Sequence, residues 1–237
     1  MNHQAFFTQF KTLETKLRRI AKSTDIESFY NILDKAERIN YLVKTKRSVL
    51  LDLHALRNVF AHSDRDRYIA TVNQIAFKEI ENIVKLLDNP PTVEEVFKKE
   101  IYRVNLDEII DIVIRKMKEK IYTHVPIYDN DKFYGVFTET TLLDWLIDNI
   151  NEGRAQFYKR QIKDVNRKYL FNDTNIVKFI PANKSIFEIP ELFNKAISNN
   201  KRLGALLITK TGKKDSKPIG IITAWDLPLI DKYINKL

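Results

Sequence analysis

Arg57 and His62, an arginine and a histidine five residues apart, are the side chains in this sequence best suited to chemistry. Metal-free cleavage of RNA needs one group that binds phosphate and another that moves a proton near neutral pH. An arginine fork donates paired hydrogen bonds to phosphate and stays charged, and an unperturbed histidine titrates near pH ~6.5. Asn58 is a polar neighbour of the arginine. The pattern therefore predicts a ribonuclease site.

Helical geometry restricts how Arg57 and His62 can act together. Five residues turn an α-helix by ~500°, which leaves the two side chains ~140° apart around its axis. Either the helix ends close to Ala61, as the capping pair Ser63-Asp64 predicts, or two copies of the chain place their pairs around one groove. The alternative is an exposed arginine and a histidine that only stabilises the helix C-terminus.

The stretch from Arg57 to His62 resembles the Arg-x4-His signature of the HEPN family, many of whose members are ribonucleases. The resemblance implies a metal-independent endoribonuclease in which Arg57 and His62 are catalytic and Asn58 helps to set their geometry. It also implies a homodimer or higher oligomer, RNA as substrate, and a toxin or defence setting. The alternative is a helical domain that only dimerises or docks a partner. His54, one turn earlier, is interpreted as a surface or packing residue.

Apolar residues at helical spacing predict four helices in the first ninety residues. They begin near Phe6, at a Thr24–Glu27 capping box, near Tyr41, and at the Ser63-Asp64 cap. The last one ends at Asp88-Asn89-Pro90-Pro91, where two prolines predict a domain boundary.

After this boundary, the order helix, strand, turn, strand, helix occurs twice, which predicts an internal duplication. The elements predicted for the first copy are a helix over Ile109–Lys118, strands over His124–Tyr128 and up to Gly135–Thr138, and a helix over Leu142–Ile150. Those predicted for the second copy are a helix capped by Ser185, strands over Ala205–Thr209 and up to Gly220–Thr223, and a helix from Leu227.

The core strings of the two copies, Val125–Asp129 with Gly135–Thr138 and Gly220–Leu227, resemble those of a tandem pair of CBS domains. With the HEPN resemblance, this implies an α+β, multidomain chain that begins with an antiparallel, HEPN-like helical bundle at residues 1–89. A first CBS repeat at 92–158 and a second at 159–237 follow, each of βαββα type, and the two form a pseudo-two-fold pair.

Thr223 and Asp226 are the candidate ligand residues of the second copy. A strand ends and a helix begins here, so backbone N–H groups and the threonine hydroxyl suit a phosphate, while the carboxylate can accept two ribose hydroxyls. The CBS resemblance implies that they bind an adenine nucleotide, such as AMP or ATP, as a regulatory ligand. For Asp226 the alternative is an ordinary helix N-cap.

The first copy departs from this pattern. Thr138 matches Thr223 and is the third candidate ligand residue, but Thr141 stands where the second copy has Asp226. A threonine cannot accept a ribose diol as a carboxylate does. We therefore expect one competent nucleotide site and one weak or empty one. The alternative for Thr138 is a strand-end hydroxyl without a ligand.

Composition limits the remaining function classes. The net charge of +9 suggests a polyanionic partner or a solvated basic surface. The absence of cysteine excludes disulfides, thiolate catalysis and cysteine zinc sites, and no metal cofactor is expected. Without a signal-peptide pattern or an apolar stretch of the ~20 residues that cross a bilayer, a cytoplasmic protein with no membrane partner is expected.

Together these patterns predict a nucleotide-regulated, metal-independent HEPN endoribonuclease in which the CBS pair senses an adenine nucleotide. The alternative is a non-catalytic nucleotide-sensing CBS protein whose helical domain mediates dimerisation or partner binding. In a third interpretation, the chain binds RNA without cutting it, and the retained RNA is released steeply by salt.

Overall fold

The N-terminal region is helical in the computed structural model, which describes residues 3–61, 72–151, 154–155, 159–170 and 176–235. Its helices are α1 (His3–Ala21), α2 (Phe29–Glu37), α3 (Tyr41–Thr45), α4 (Arg47–Ala61) and α5 (Gln74–Asp88). Their apolar faces form a common core in which aromatic residues are prominent, and its buried members include Phe6, Phe10, Leu13, Leu17, Phe29, Ile32, Leu53, Phe60, Phe77 and Ile80. The helical N-terminal region that the spacing of apolar residues predicts is therefore confirmed.

The start of α2 differs from the predicted capping box. The N-cap is Ser28, whose side chain accepts a hydrogen bond from the Asn31 N–H, so the Thr24 prediction was wrong. The guanidinium of Arg18 donates to the carbonyl oxygens of Thr24 and Glu27, at 2.6 and 3.1 Å, and holds this segment in a turn. The helix can begin only after that turn.

Two further helix boundaries depart from the predictions. The helix expected from Tyr41 to Phe60 is divided at Lys46, whose backbone leaves helical geometry at φ −93° and ψ 14°. The helix that contains Ile75 and Leu87 begins at Gln74, with Asn73 as its N-cap. The predicted Ser63-Asp64 cap lies outside the described residues.

Strands and helices alternate in the rest of the chain. The first group is α6 (Val93–Phe97), β1 (Val104–Asn105), α7 (Ile110–Lys120), β2 (His124–Asp129), β3 (Lys132–Thr138), α8 (Glu139–Asn149), β4 (Ile150–Asn151), β5 (Arg154–Ala155) and α9 (Arg167–Leu170). The second is β6 (Ile176–Pro181), α10 (Ile189–Ser198), β7 (Leu203–Thr209), β8 (Pro218–Ile222) and α11 (Pro228–Asn235). Single 3-10 turns occur at Ile162–Asp164, Ile186–Glu188 and Ala224–Asp226.

Two three-stranded sheets share one topology. Their strand orders are β1-β2-β3 and β6-β7-β8, and in each the first pair is parallel and the second antiparallel. A helix connects the two parallel strands in both cases, as a parallel crossover requires. The α+β class is confirmed, and both copies have the strand and helix order that the sequence repeat predicts.

The chain divides into two compact units. We call Met1–Thr92, Ser185–Leu192 and Leu227–Leu237 the helical unit, and Val93–Lys184 and Phe193–Asp226 the sheet unit. In the sheet unit, the rings of Phe133 on β3 and Phe179 on β6 meet edge to face at 4.9 Å. The domain limits 1–89, 92–158 and 159–237 remain predictions.

Two classes of feature are missing from the described part of the chain. None of its helices combines the length and apolar character that crossing a membrane demands. It also contains no cluster of three or more histidine, cysteine, aspartate or glutamate side chains suited to a metal ion.

Candidate functional site

The turn after β8 brings Thr223 and Asp226 together, as the sequence pattern requires. One carboxylate oxygen of Asp226, Oδ2, accepts hydrogen bonds from the backbone N–H of Thr223 at 2.7 Å and from its hydroxyl at 3.0 Å. These two bonds fix the turn Ala224–Asp226 and hold the carboxylate beside the strand end. Both side chains are only partly buried, so the pair faces accessible space.

The segment after α6 forms the opposite wall of this site. The N–H of Lys99 donates to the carbonyl oxygen of Ile219 at 3.2 Å, and Lys98 forms a β-bridge with Gly220. This pairing directs the ammonium of Lys99 toward the turn, where it lies 3.5 Å from Oδ1 of Asp226. Sequence reasoning did not identify Lys99, because its approach to the turn depends on pairing between segments more than a hundred residues apart.

Thr223, Asp226 and Lys99 line a cavity of about 690 Å³ within the sheet unit. Its volume lies in the ~300–1,000 Å³ range of small-molecule sites. Apolar side chains contribute to its wall, among them Ile101, Ile221 and the indole of Trp225, which is 85% exposed. An aromatic or aliphatic wall of this kind suits the faces of a planar base.

The charges around the cavity are mixed. Besides Lys99, the lining cation is Lys120, which forms an ion pair with Glu119 at 2.9 Å. The lining acids besides Asp226 are Glu100 and Glu139. The cavity therefore has no uniformly positive lining, and the affinity for an anion depends on individual cations.

A second, more polar cavity of about 890 Å³ adjoins the same segment. It shares the stretch 99–102 with the first cavity, and it is lined by more cations than acids. The ring of Tyr102 stacks on that of Tyr122 at 5.7 Å, and the ammonium of Lys116 lies 4.1 Å from the Tyr102 ring centre. Burial raises the pKa of the Tyr102 hydroxyl above its ordinary value.

The third candidate ligand residue, Thr138, has an internal structural role. Its hydroxyl caps α8 by accepting from the Thr141 N–H at 3.0 Å, and the two hydroxyls are also 3.0 Å apart. The Thr141 hydroxyl donates to the carbonyl oxygen of Tyr169 at 3.3 Å. Both threonines are buried, at 5% and 1% exposure, and neither lines the 690 Å³ cavity. The two copies therefore differ: Thr223 and Asp226 line the 690 Å³ cavity, whereas the equivalent Thr138 and Thr141 are buried and bonded within the first copy.

A chain of hydrogen bonds connects Arg57 to His54 through Asn58. The amide oxygen of Asn58 accepts from the Arg57 guanidinium at 3.1 Å, and its amide nitrogen lies 3.2 Å from Nε2 of His54. Because that amide nitrogen can only donate, Nε2 is the acceptor and the imidazole is neutral. Burial lowers the pKa of His54, with a smaller contribution from the charge of Arg57.

The imidazole of His54 is partly buried and packs against aromatic rings. It stacks on the Phe29 ring at 4.4 Å with an angle of 1° between the planes. His54 thus orients the side chain of Asn58, and Asn58 in turn positions that of Arg57. All three residues lie on α4. His62, the proposed partner of Arg57, lies outside the described residues.

Residues 93–148, which contain most of the first copy, match the protein-family model described as CBS domain. The CBS resemblance inferred from Val125–Asp129 and Gly135–Thr138 is thereby confirmed for this stretch. No curated protein matches the chain.

The solved structures that resemble this chain include proteins with CBS domains. The CBS domain pair of protein MJ0100, in complex with 5′-methylthioadenosine and S-adenosyl-L-methionine, is 14% identical with a TM-score of 0.43, over 61% of this chain and 98% of that one. CBSX2 in complex with AMP is 18% identical with a TM-score of 0.42, over 60% and 97%. The CBS domain protein TA0289 from Thermoplasma acidophilum is 14% identical with a TM-score of 0.40, over 59% and 68%.

Proposed function

We propose that the sheet unit binds an adenine nucleotide in the 690 Å³ cavity. The observation that carries this proposal is the placement of Thr223 and Asp226 side by side on the wall of a cavity large enough for a nucleotide. The Asp226 carboxylate accepts the ribose hydroxyls, and the apolar wall around Ile101 and Ile221 contacts the base. The N–H and hydroxyl of Thr223, which the sequence suggested for the phosphate, donate to Asp226 instead and hold the carboxylate in place.

Asp226→Ala is expected to weaken adenine nucleotide binding at least about tenfold, since a hydrogen bond to a charged group contributes about 1.5–3 kcal/mol. Calorimetric titration of the full chain with AMP, ADP and ATP measures the loss. Asp215→Ala is the matched control, because Asp215 is an exposed loop residue of the same unit that does not line the cavity. Equal affinity of the native chain and Asp226→Ala removes this carboxylate from the site.

A second proposed activity, metal-independent cleavage of RNA, rests on the Arg57–Asn58–His54 chain of hydrogen bonds. Asn58 fixes the Arg57 guanidinium, which leaves a partly exposed cation with a defined orientation one helical turn beyond His54. In this proposal Arg57 binds the scissile phosphate, His62 moves the proton, and Asn58 positions Arg57. The chain acts as a homodimer or higher oligomer, and the nucleotide in the sheet unit regulates it.

Arg57→Ala and His62→Ala are each expected to reduce RNA cleavage at least about 100-fold, the lower range for loss of general acid–base help or charge stabilisation. The assay follows cleavage in the presence of EDTA, with and without AMP. Arg19→Ala is the control, since Arg19 is an exposed arginine of α1 in the same unit.

The outcomes of this assay separate the alternatives. RNA that stays intact with and without AMP contradicts the nuclease proposal. RNA that is retained without being cut, with an affinity that falls steeply with salt, indicates an RNA-binding role instead. If RNA is neither cut nor retained, the remaining alternative is a nucleotide-sensing protein whose helical unit serves dimerisation or docking.

A further inference from the structure

The carboxylate of Asp226, which accepts the ribose in the proposed function, already has a partner from the chain at each of its oxygens. Oδ2 accepts from the N–H and the hydroxyl of Thr223, at 2.7 and 3.0 Å. Oδ1 faces the ammonium of Lys99 at 3.5 Å. A ribose diol that donates to this carboxylate therefore competes with Lys99, because the two Thr223 bonds are short and local whereas the lysine contact is longer and flexible.

Displacement of Lys99 has a cost that depends on the ligand. The Asp226 side chain is only 20% exposed, so the ammonium beside it loses a partner in a partly desolvated cavity. A ligand with a phosphate gives the ammonium a new anionic partner, and a neutral nucleoside gives it none. The four-carbon stem of lysine allows the ammonium to move between the two positions.

Among the described residues that line the cavity, Lys99 is the cation beside Asp226, and the other basic side chains are Lys120 and His124. Lys120 is already paired with Glu119 at 2.9 Å, and the remaining lining charges, Glu100 and Glu139, repel an anion. Lys98 belongs to the neighbouring cavity and pairs with Glu94 at 3.0 Å. Lys99 is therefore the cation on which the binding of an anionic ligand depends.

We propose that Lys99 makes this cavity selective for phosphorylated nucleosides over neutral ones. The inference rests on the proposed function that the cavity binds an adenine nucleotide, and it names the ligand class and the residue that sets it. The ribose takes the place of the ammonium at Asp226, and the ammonium moves to the phosphate. A nucleoside that carries a positive group is disfavoured for the same reason, because like charges repel.

The test is a calorimetric comparison of AMP with adenosine on the full chain. The native chain is expected to bind AMP at least about tenfold more tightly than adenosine, as one added charge-assisted hydrogen bond predicts. In Lys99→Met, AMP affinity is expected to fall about tenfold or more, while adenosine affinity stays within about threefold or increases because Asp226 is freed. Lys99→Arg should keep the preference for AMP.

Lys98→Met is the matched control, since it removes the same charge one residue away without touching the first cavity. The Lys99 side chain is 47% exposed, so its replacement is expected to leave folding intact, and circular dichroism checks this. Equal affinity of the native chain for AMP and adenosine overturns the selectivity proposal and leaves nucleotide binding standing. An equal loss for both ligands in Lys99→Met also overturns it. If the native chain binds neither ligand, the proposed function itself fails.

Discussion

Gly220→Ala is expected to destabilise the sheet unit by about 3 kcal/mol or more, at the upper end of the usual cost of overpacking. A Cβ at Gly220 would lie 2.6 Å from the carbonyl oxygen of Phe97 and 2.8 Å from a methyl group of Ile208. The methyl group can rotate away, but the carbonyl belongs to the backbone that pairs with β8. Relief of the clash requires α6 and the Lys99 segment to move away from the strand.

Urea unfolding followed by tryptophan fluorescence measures this loss, because both tryptophans of the chain, Trp145 and Trp225, lie in the sheet unit. Trp145 is 1% exposed and changes its environment on unfolding. Ile222→Val is the control in the same strand, and removal of one buried methylene should cost only about 0.5–1.5 kcal/mol. If Gly220→Ala is as stable as the native chain, the backbone at Phe97 can move away from the added methyl group at little cost. Under the proposed function, this variant also binds AMP more weakly.

The duplicated half of the fold could be predicted from sequence because its signals are local. The turn between β2 and β3 is an example: Asn130 and Asp131 both have positive φ, 46° and 61°, and these two residue types tolerate that conformation better than most. The strand before this turn is a continuous buried run from Val125 to Tyr128, and such a short run that ends at a turn signal indicates a strand with both faces covered. Element order and strand pairing follow from such signals.

The predictions that failed concern features that are set by partners outside the local pattern. The Thr24–Glu27 capping box is a valid pattern, but in the structure the carbonyl oxygens of Thr24 and Glu27 accept from Arg18, and Ser28 is the N-cap. The short strand β1 contains only Val104 and Asn105, and the pattern of apolar residues predicts no strand there. Local propensity cannot reveal either result, because the deciding partner, Arg18 or β2, lies elsewhere in the chain.

The candidate site shows the same division. Thr223 and Asp226 are three residues apart, so the sequence could indicate that they act together. Lys99 reaches them only through the pairing of its segment with β8. Thr138 and Thr141 look like a weakened copy of the same motif, but the Thr141 hydroxyl donates to the carbonyl of Tyr169, a contact that the local sequence does not reveal.

That difference makes Thr141→Asp a decisive substitution. Sequence comparison of the two copies suggests that it would restore the acid of the second copy and create another nucleotide site. The structure predicts instead a loss of stability of about 3 kcal/mol, at the lower end of the cost of a buried charge, because the Thr138 hydroxyl can still donate to the carboxylate. Thr141 is 1% exposed, and its hydroxyl donates to the Tyr169 carbonyl, whereas an ionised carboxylate cannot donate and would face that oxygen as a second acceptor.

The pH dependence of this variant follows from the same contact. Burial beside a carbonyl oxygen raises the pKa of the introduced carboxyl above its unfolded value of ~3.9. Because the folded form binds the proton more tightly than the unfolded form, the penalty is full above the raised pKa and is relieved as pH falls through it. A protonated carboxyl can donate to the Tyr169 carbonyl in place of the threonine hydroxyl.

Urea unfolding of Thr141→Asp at several pH values, each compared with the native chain, measures both effects. Thr141→Asn is the matched control, because the amide has the shape of the carboxylate, remains uncharged, and can donate to the Tyr169 carbonyl. It should lose less stability than Thr141→Asp at pH 7, and its difference from the native chain should not depend on pH. A Thr141→Asp variant that is as stable as the native chain and binds a second equivalent of AMP would show that the first copy lacks only an acid. We expect no second equivalent, because the Thr138–Thr141–Tyr169 contact already satisfies the groups that a ligand would use.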